Sequence, residues 1–256
     1  MIRKKRLKEY LNTRWRGMIK NLSTLSVAND CEAIHDLRLH AKKIMTIAML
    51  LNIYKHNVFR PMKVIMQHAG NIRMAELNLQ TLKDNDYHNP FLEKELEGII
   101  EKGYILICIR NEKYKGDVRL LRKRYENSLT DVKDQMAIDF FTAIVEELGS
   151  AFLSQVGQEE LHKNRKKMKY LLYAYRVLPR QLKTKISLNE KYLDELQEEI
   201  GLWHDLELTL ALLDNKGLNN EIIYHKIKQK ENEIFVKIKN EAKFFEERVQ
   251  VKMTNG

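Results

Sequence analysis

Residues 34–47 read IHDLRLHAKKIMTI, and residues 161–174 read LHKNRKKMKYLLYA. The two stretches align without a gap and share three polar residues at the same spacing. The matched pairs are His35 with His162, Arg38 with Arg165, and Lys42 with Lys169. The offset of 127 residues is about half of the 256-residue chain. Self-similarity at this distance predicts an internal duplication.

A second pair of stretches supports the duplication. Residues 62–82 align with residues 193–213 on Gly70 and Gly201, and this alignment sets Arg73 opposite His204. Each half of the chain is therefore predicted to contain a basic helix that carries a histidine, followed by a helix marked by a glycine.

The whole chain is predicted to be helical. It has only 10 glycines and 3 prolines among 256 residues, and apolar residues recur at the three-and-four spacing of helices without the alternation of strands. Gly217 is predicted to end the seventh helix. The eight predicted helices cover residues 3–25, 30–55, 57–83, 91–127, 131–154, 158–178, 187–214 and 219–250.

The net charge of +10 indicates an anionic partner, which leaves phosphate polymers, nucleic acid and acidic membrane surfaces open. Cys31 and Cys108 form no metal or disulfide pattern, so we expect free thiols in a reducing compartment, and hence the cytoplasm. The most apolar run, residues 44–54, is too short to span a bilayer.

The basic helices carry their cations on one face. Because each helical residue turns by about 100°, His35, Arg38 and Lys42 fall within roughly 60° of one another. No Asp or Glu is interspersed on this face, although a solvated helix face usually mixes charges of both signs. A plain amphipathic helix with a solvated basic face is the simpler interpretation, but the recurrence of the pattern in the second half argues against it.

These motifs resemble the CHAD family of α-helical domains, named for their histidines. The paired H-x-x-R-x-x-x-K helices carry the resemblance, together with GLWHD at residues 201–205, where Gly, His and Asp fit the later motif of the family. Met74 departs from it, since the first copy of the family's motif usually has Asp there. The resemblance covers nearly all of the chain.

The resemblance implies an all-α fold of two four-helix bundles related by a pseudo-twofold axis, with a basic central groove or pore that binds inorganic polyphosphate without catalysis. The chain would then be a single domain over residues 1–256, with one repeat at 1–128 and the other at 129–256. No cofactor or metal is implied.

Polyphosphate binding requires a row of cations along the groove. Arg can hold two phosphate oxygens with its planar fork, Lys supplies a mobile point charge, and His donates best when protonated. The structural alternative for each histidine is a neutral side chain that packs between helices and bonds to a carboxylate. For Arg73 and His204 it is a buried pair that fixes adjacent helices, and Asp205 is expected to be a structural partner of an arginine. The predicted ligand-binding residues are His35, Arg38, Lys42, Lys43, Arg73, His162, Arg165, Lys166, Lys169, Tyr173 and His204.

Two other functions stay open on sequence grounds. A sequence-independent nucleic-acid binder would use the same phosphate contacts, although the basic faces carry few aromatic residues for base stacking. A metal-dependent polyphosphatase or phosphotransferase would need carboxylates for Mg²⁺, and the basic helices offer only Asp36.

The basic run at residues 110–125 is either a solvated helix or an extension of the anion surface through Arg119, Arg122 and Lys123. With polyphosphate as the ligand, the cytoplasmic location expected from the free thiols would include association with polyphosphate granules.

Overall fold

The chain is almost entirely helical in a computed structural model that describes residues 1–55, 57–154, 157–219 and 221–250. These residues form eleven helices and no strand, which confirms the predicted all-α class. The helices are α1 (Lys4–Thr24), α2 (Cys31–Leu50), α3 (Arg60–Lys83), α4 (Pro90–Ile109), α5 (Asn111–Asn127), α6 (Asp134–Leu153), α7 (Gln158–Tyr175), α8 (Arg180–Ile186), α9 (Glu190–Asn215), α10 (Ile222–Ala242) and α11 (Phe245–Arg248).

The helices divide between two compact units. The N-terminal unit comprises Ile2–Lys83 and His88–Val132 and holds α1 to α5. The C-terminal unit begins at Lys133, holds α6 to α11, and also includes Met1 and the loop Asp84–Tyr87. The repeat boundaries predicted from the sequence, and the prediction of two duplicated four-helix bundles around a basic groove, stay predictions.

In the N-terminal unit, α2 packs between α1 and α3, and α4 packs on α3. Trp15 of α1 is 1% exposed and meets Tyr125 of α5 edge to face. The two ends of the unit are joined by reciprocal 2.9 Å backbone hydrogen bonds between Ile2 and Val132. This arrangement sets the basic helix α2 directly against the glycine-bearing helix α3.

The C-terminal unit makes the corresponding pairing between α7 and α9, and α10 covers another side of α9. Trp203 of α9 is fully buried, and its indole N–H donates to the carboxylate of Glu231 on α10 at 2.5 Å. Lys228 pairs with the same carboxylate at 2.7 Å. A buried carboxylate is costly without such partners. The bond from Trp203 joins α10 to α9, and the pair with Lys228 lies within α10 and satisfies the same carboxylate.

Several predicted helix boundaries are corrected by the structure. The helix predicted over residues 91–127 is two helices, because the chain leaves helical geometry at Arg110 and the buried amide of Asn111 donates to the carbonyl of Leu22. The helix predicted over 30–55 ends at Leu50, since Asn52 adopts a left-handed conformation with φ of 54°.

The ends of the other helices follow from local sequence. The short helix α8 was not predicted, and the helix predicted over 219–250 is divided into α10 and the short helix α11. Gly217 has a φ of 69°, and the N–H groups of Gly217 and Leu218 donate to the carbonyls of Asp214 and Leu213, so the predicted end of α9 is confirmed. Residues 220 and 251–256, which belong to the last predicted helix and to the predicted domain, lie outside the described residues.

Candidate phosphate-binding motif

The guanidinium group of Arg38 lies across the neighbouring helix α3. Its Nη1 donates to the carbonyl oxygen of Met66 at 2.7 Å. A methyl group built on Gly70 would lie 2.5 Å from the same Nη1 atom. Arg38 can therefore cross α3 only where that helix has no side chain.

Arg165 makes the same arrangement in the C-terminal unit. Its Nε donates to the carbonyl oxygen of Gln197 on α9 at 3.0 Å. A methyl group on Gly201 would overlap the guanidinium group and lie 2.8 Å from its Cζ. In both units the acceptor carbonyl stands four residues before the glycine, so the aligned stretches make the same contact. We call each arginine with its glycine an Arg–Gly contact.

Both arginines are partly desolvated by this packing. Burial lowers the pKa of Arg38, and the nearby Arg73 lowers it further. Burial also lowers the pKa of Arg165, whereas Asp205 acts in the opposite direction. An arginine side chain stays protonated in proteins, so both groups remain cations. Each has N–H donors in addition to the one that bonds to the helix carbonyl.

Lys169 lies beside Arg165, one helical turn further along α7. Burial lowers the pKa of Lys169 to about 8, and Arg165 contributes to the shift, while Asp205, Asp194 and Glu198 oppose it. Its ammonium group is therefore close to titration in the physiological range.

The other predicted cations of the basic helices differ in exposure. Lys166 is exposed and Lys42 is half-buried. Lys43 is only 7% exposed, and the predicted ligand Tyr173 is only 8% exposed. Little of Lys43 or Tyr173 is therefore accessible to a polymer from solvent.

The predicted histidines do not occupy equivalent environments. His35 is exposed on α2. His162 is half-buried, and its ring lies 4.2 Å from the ring of His204, centroid to centroid. The two predicted ligand histidines of the C-terminal unit are thus brought together, one from α7 and one from α9.

Arg73 and His204, which align with each other, each pair with a glutamate one turn further along the same helix. Arg73 lies 3.5 Å from Glu76, and His204 lies 3.4 Å from Glu207. The carboxylate of Glu76 also accepts a 3.0 Å hydrogen bond from the hydroxyl of Tyr104. Each ion pair lies within one helix, while Glu76 and His204 also contact the neighbouring helices α4 and α7 through Tyr104 and His162.

The basic run at residues 110–125 forms a separate surface with α1. Arg122 binds Glu126 at 2.7 Å and Asn12 at 3.0 Å. Arg119 and Arg122 border a cleft of about 350 Å³ between α1 and α5. The remaining residues that line it are Trp15, Arg16, Ile19, Lys20 and Val118. Lys123 is exposed elsewhere on α5.

Sequence reasoning missed the reason for the two glycines. The alignment on Gly70 and Gly201 treated them as markers, although each provides the space for an arginine from the preceding basic helix. A glycine in the middle of a helix costs about 1 kcal/mol relative to alanine, and that cost was the available signal that something else occupies the space.

The described residues contain neither a metal-binding cluster nor a membrane-spanning helix. Among the described residues, no group of three or more His, Cys, Asp or Glu side chains is arranged to hold a metal ion. None of the helices in the described ranges combines the length and the apolar character needed to cross a membrane.

Comparison with models of protein families gives a match to the CHAD domain over residues 74–214, which is more than half of the chain. Among solved structures, the chain is similar to the crystal structure of the CHAD domain from the plant Ricinus communis, with a TM-score of 0.62. The two sequences are 13% identical, and the alignment covers 91% of this chain and 86% of the plant chain. No curated protein matches the sequence significantly. The matched residues include Arg165 and Gly201, whereas Arg38 and Gly70 precede them.

Proposed function

Because the chain belongs to the CHAD domain family, we propose that it binds inorganic polyphosphate and does not catalyse its turnover. The proposal starts from what the family resemblance implies for the motifs of α2, α3, α7 and α9. The observation that carries it is the pair of Arg–Gly contacts, which hold an arginine at the same position in both units beside further cations. In the cell, we expect this binding to take place in the cytoplasm, at polyphosphate granules.

The chemistry of the ligand fits these cations. Polyphosphate carries negative charge along its whole length and offers no base edge or ring to recognise, so a row of donors suffices. The Arg38 and Arg165 side chains are each oriented by a hydrogen bond to a helix carbonyl, and such pre-orientation reduces the entropy lost when a phosphate binds. Lys42, Lys166 and Lys169 add charges on the same basic helices.

Competition between polyanions tests the ligand class. We expect long-chain polyphosphate to bind more tightly than single-stranded RNA or duplex DNA when each is titrated at the same salt concentration and the same phosphate concentration. Isothermal calorimetry or fluorescence anisotropy would measure the three affinities. Equal affinities would replace the proposal with sequence-independent binding of any polyanion, including nucleic acid.

Phosphate release tests the absence of catalysis. Wild-type protein incubated with polyphosphate and Mg²⁺ or Mn²⁺ is expected to release no more phosphate than a heat-denatured sample. Release that depends on native protein and disappears in the Lys42→Gln or Lys169→Gln variant would identify a phosphatase or phosphotransferase instead.

A further inference from the structure

One face of the glycine-bearing helix carries different charges in the two units. Residues seven and three positions before a helical glycine, and four positions after it, lie on the same side of the helix as the glycine. On α9 these positions around Gly201 hold Asp194, Glu198 and Asp205. Three carboxylates therefore share the face of α9 on which the guanidinium group of Arg165 lies.

The corresponding face of α3 has no carboxylate at these positions. Around Gly70 the equivalent residues are Lys63, Gln67 and Met74. Met74 is 44% exposed, so its side chain does not fill a core site. Met74, which departs from the family pattern, is thus one of three positions at which α3 lacks the carboxylate that α9 carries.

The local electrostatics agree with this difference. Asp205 and Glu198 raise the pKa values of both Arg165 and Lys169, against the effect of burial, so these carboxylates stabilise the charged forms. The neighbouring charge that acts on Arg38 is another cation, Arg73, which lowers the pKa of Arg38. Arg73 is itself paired with Glu76. Arg38, whose neighbouring charge is a cation, nevertheless gains more from an added anion than Arg165 and Lys169, which carboxylates already surround.

We infer that the two copies of the motif bind phosphate unequally, with the N-terminal copy around Arg38, Lys42 and Arg73 as the main phosphate site. In the C-terminal copy the carboxylates of α9 take the place of a bound anion beside Arg165 and Lys169. This inference rests on the proposed polyphosphate function and assigns its strongest contacts to one unit.

Exchanging the residues at one equivalent position tests the inequality. Met74→Asp introduces the carboxylate of the C-terminal copy into the N-terminal copy, and Asp205→Asn neutralises it where it occurs. We expect Met74→Asp to weaken the binding of long-chain polyphosphate about tenfold and Asp205→Asn to strengthen it about threefold, as one added or removed charge near a phosphate would.

Matched controls separate local effects from net charge. Phe91→Asp adds a carboxylate at a side chain of α4 that is 79% exposed, and Glu233→Gln removes one from the exposed surface of α10. Both controls are expected to change the affinity less than twofold, because exposed charges at a distance are screened by salt. Thermal unfolding of each variant would verify that the fold is retained.

The outcomes distinguish the inference from the function on which it rests. Wild-type protein that fails to bind polyphosphate contradicts the proposed function and the inference together. If the wild type binds, but Met74→Asp weakens binding no more than Phe91→Asp, the inference alone is wrong. The same holds if Asp205→Asn weakens binding while its unfolding temperature is unchanged, since the carboxylate would then support the phosphate site.

Discussion

Each Arg–Gly contact leaves no space for a side chain at the glycine. Alanine is normally the better helix residue by about 1 kcal/mol, yet the methyl group of Gly201→Ala would collide with Arg165. We expect Gly201→Ala to lower the free energy of unfolding by about 1–3 kcal/mol, as overpacking of a tight contact does. Urea denaturation would measure the change.

Gly98 in α4 provides the matched control, because nothing lies within 4 Å of a methyl group built there. Gly98→Ala is expected to raise the free energy of unfolding by about 0.5–1 kcal/mol. Equal stabilisation by both substitutions would mean that Arg165 moves away from α9 at little cost.

The amine of Lys169 is expected to titrate within the range of ordinary buffers. Its pKa is lowered from 10.5 to about 8, so the folded protein releases this proton while the unfolded chain retains it. The unfolded state therefore binds more protons between about pH 8 and 10.5, and the contribution of Lys169 to stability rises with pH in that window.

The NMR chemical shift of the Lys169 side chain would give its pKa directly. Added polyphosphate should raise the pKa, since a bound anion favours the protonated amine. The Lys169→Met variant should lose the rise in stability between pH 8 and 10.5. A pKa near 10.5 in the free protein would contradict the burial of this amine.

At the scale of elements, the basic helix α2 depends on its N-terminal cap. The carboxylate of Asp30 accepts hydrogen bonds from the backbone N–H groups of Glu32 and Ala33, both at 2.9 Å. Replacing Asp30 by Ala should cost about 1 kcal/mol of stability, whereas Asn should retain most of it. Thermal denaturation of both variants would test this, and an unchanged Ala variant would show that α2 is held by packing alone.

The sequence predicted the long helices because their apolar periodicity is local information. It failed at Arg110, where the break depends on the amide of Asn111 reaching α1, a contact between residues far apart in the chain. Arg38 and Arg165 were predicted as site residues, but their carbonyl acceptors at Met66 and Gln197 could not be predicted, because the alignment does not reveal how two helices pack.

Two carboxylates of α9, those of Asp194 and Glu198, were not predicted as neighbours of the site, for a different reason. The aligned motifs match the cations of the two copies and do not include these two acidic residues. Asp194 and Glu198 stand at fixed distances from Gly201 in the sequence, so helical geometry alone would have put them on the same face. The sequence does not show that the guanidinium group of Arg165 lies on this face, because that depends on the contact between Arg165 and Gly201.

At the scale of the whole molecule, binding through several cations should depend strongly on salt. We expect the affinity for long-chain polyphosphate to fall roughly a hundredfold between 50 and 200 mM salt, as it would for three or four neutralised phosphates. The double variant Lys42→Gln with Lys169→Gln should reduce the slope of log affinity against log salt by about one to two, since each lysine neutralises at most one phosphate.

Lysines are preferred for this test because Arg38 and Arg165 also hold helices together. The control is Lys94→Gln with Lys239→Gln, which removes two exposed lysines, one from α4 and one from α10. If both double variants reduce the slope equally, binding reflects the net charge of +10 and no defined site.

The Arg–Gly contact also constrains how the sequence can change over time. Arg38→Ala would lose its bond to the Met66 carbonyl and leave empty space above Gly70, while Gly70→Ala would collide with the arginine. Made together, the two substitutions remove the collision and part of the empty space, since the added methyl group occupies some of the vacated volume. Mutational screens that change one position at a time would therefore score both residues as intolerant and overlook a double exchange that the fold permits, although it removes the phosphate contact of Arg38.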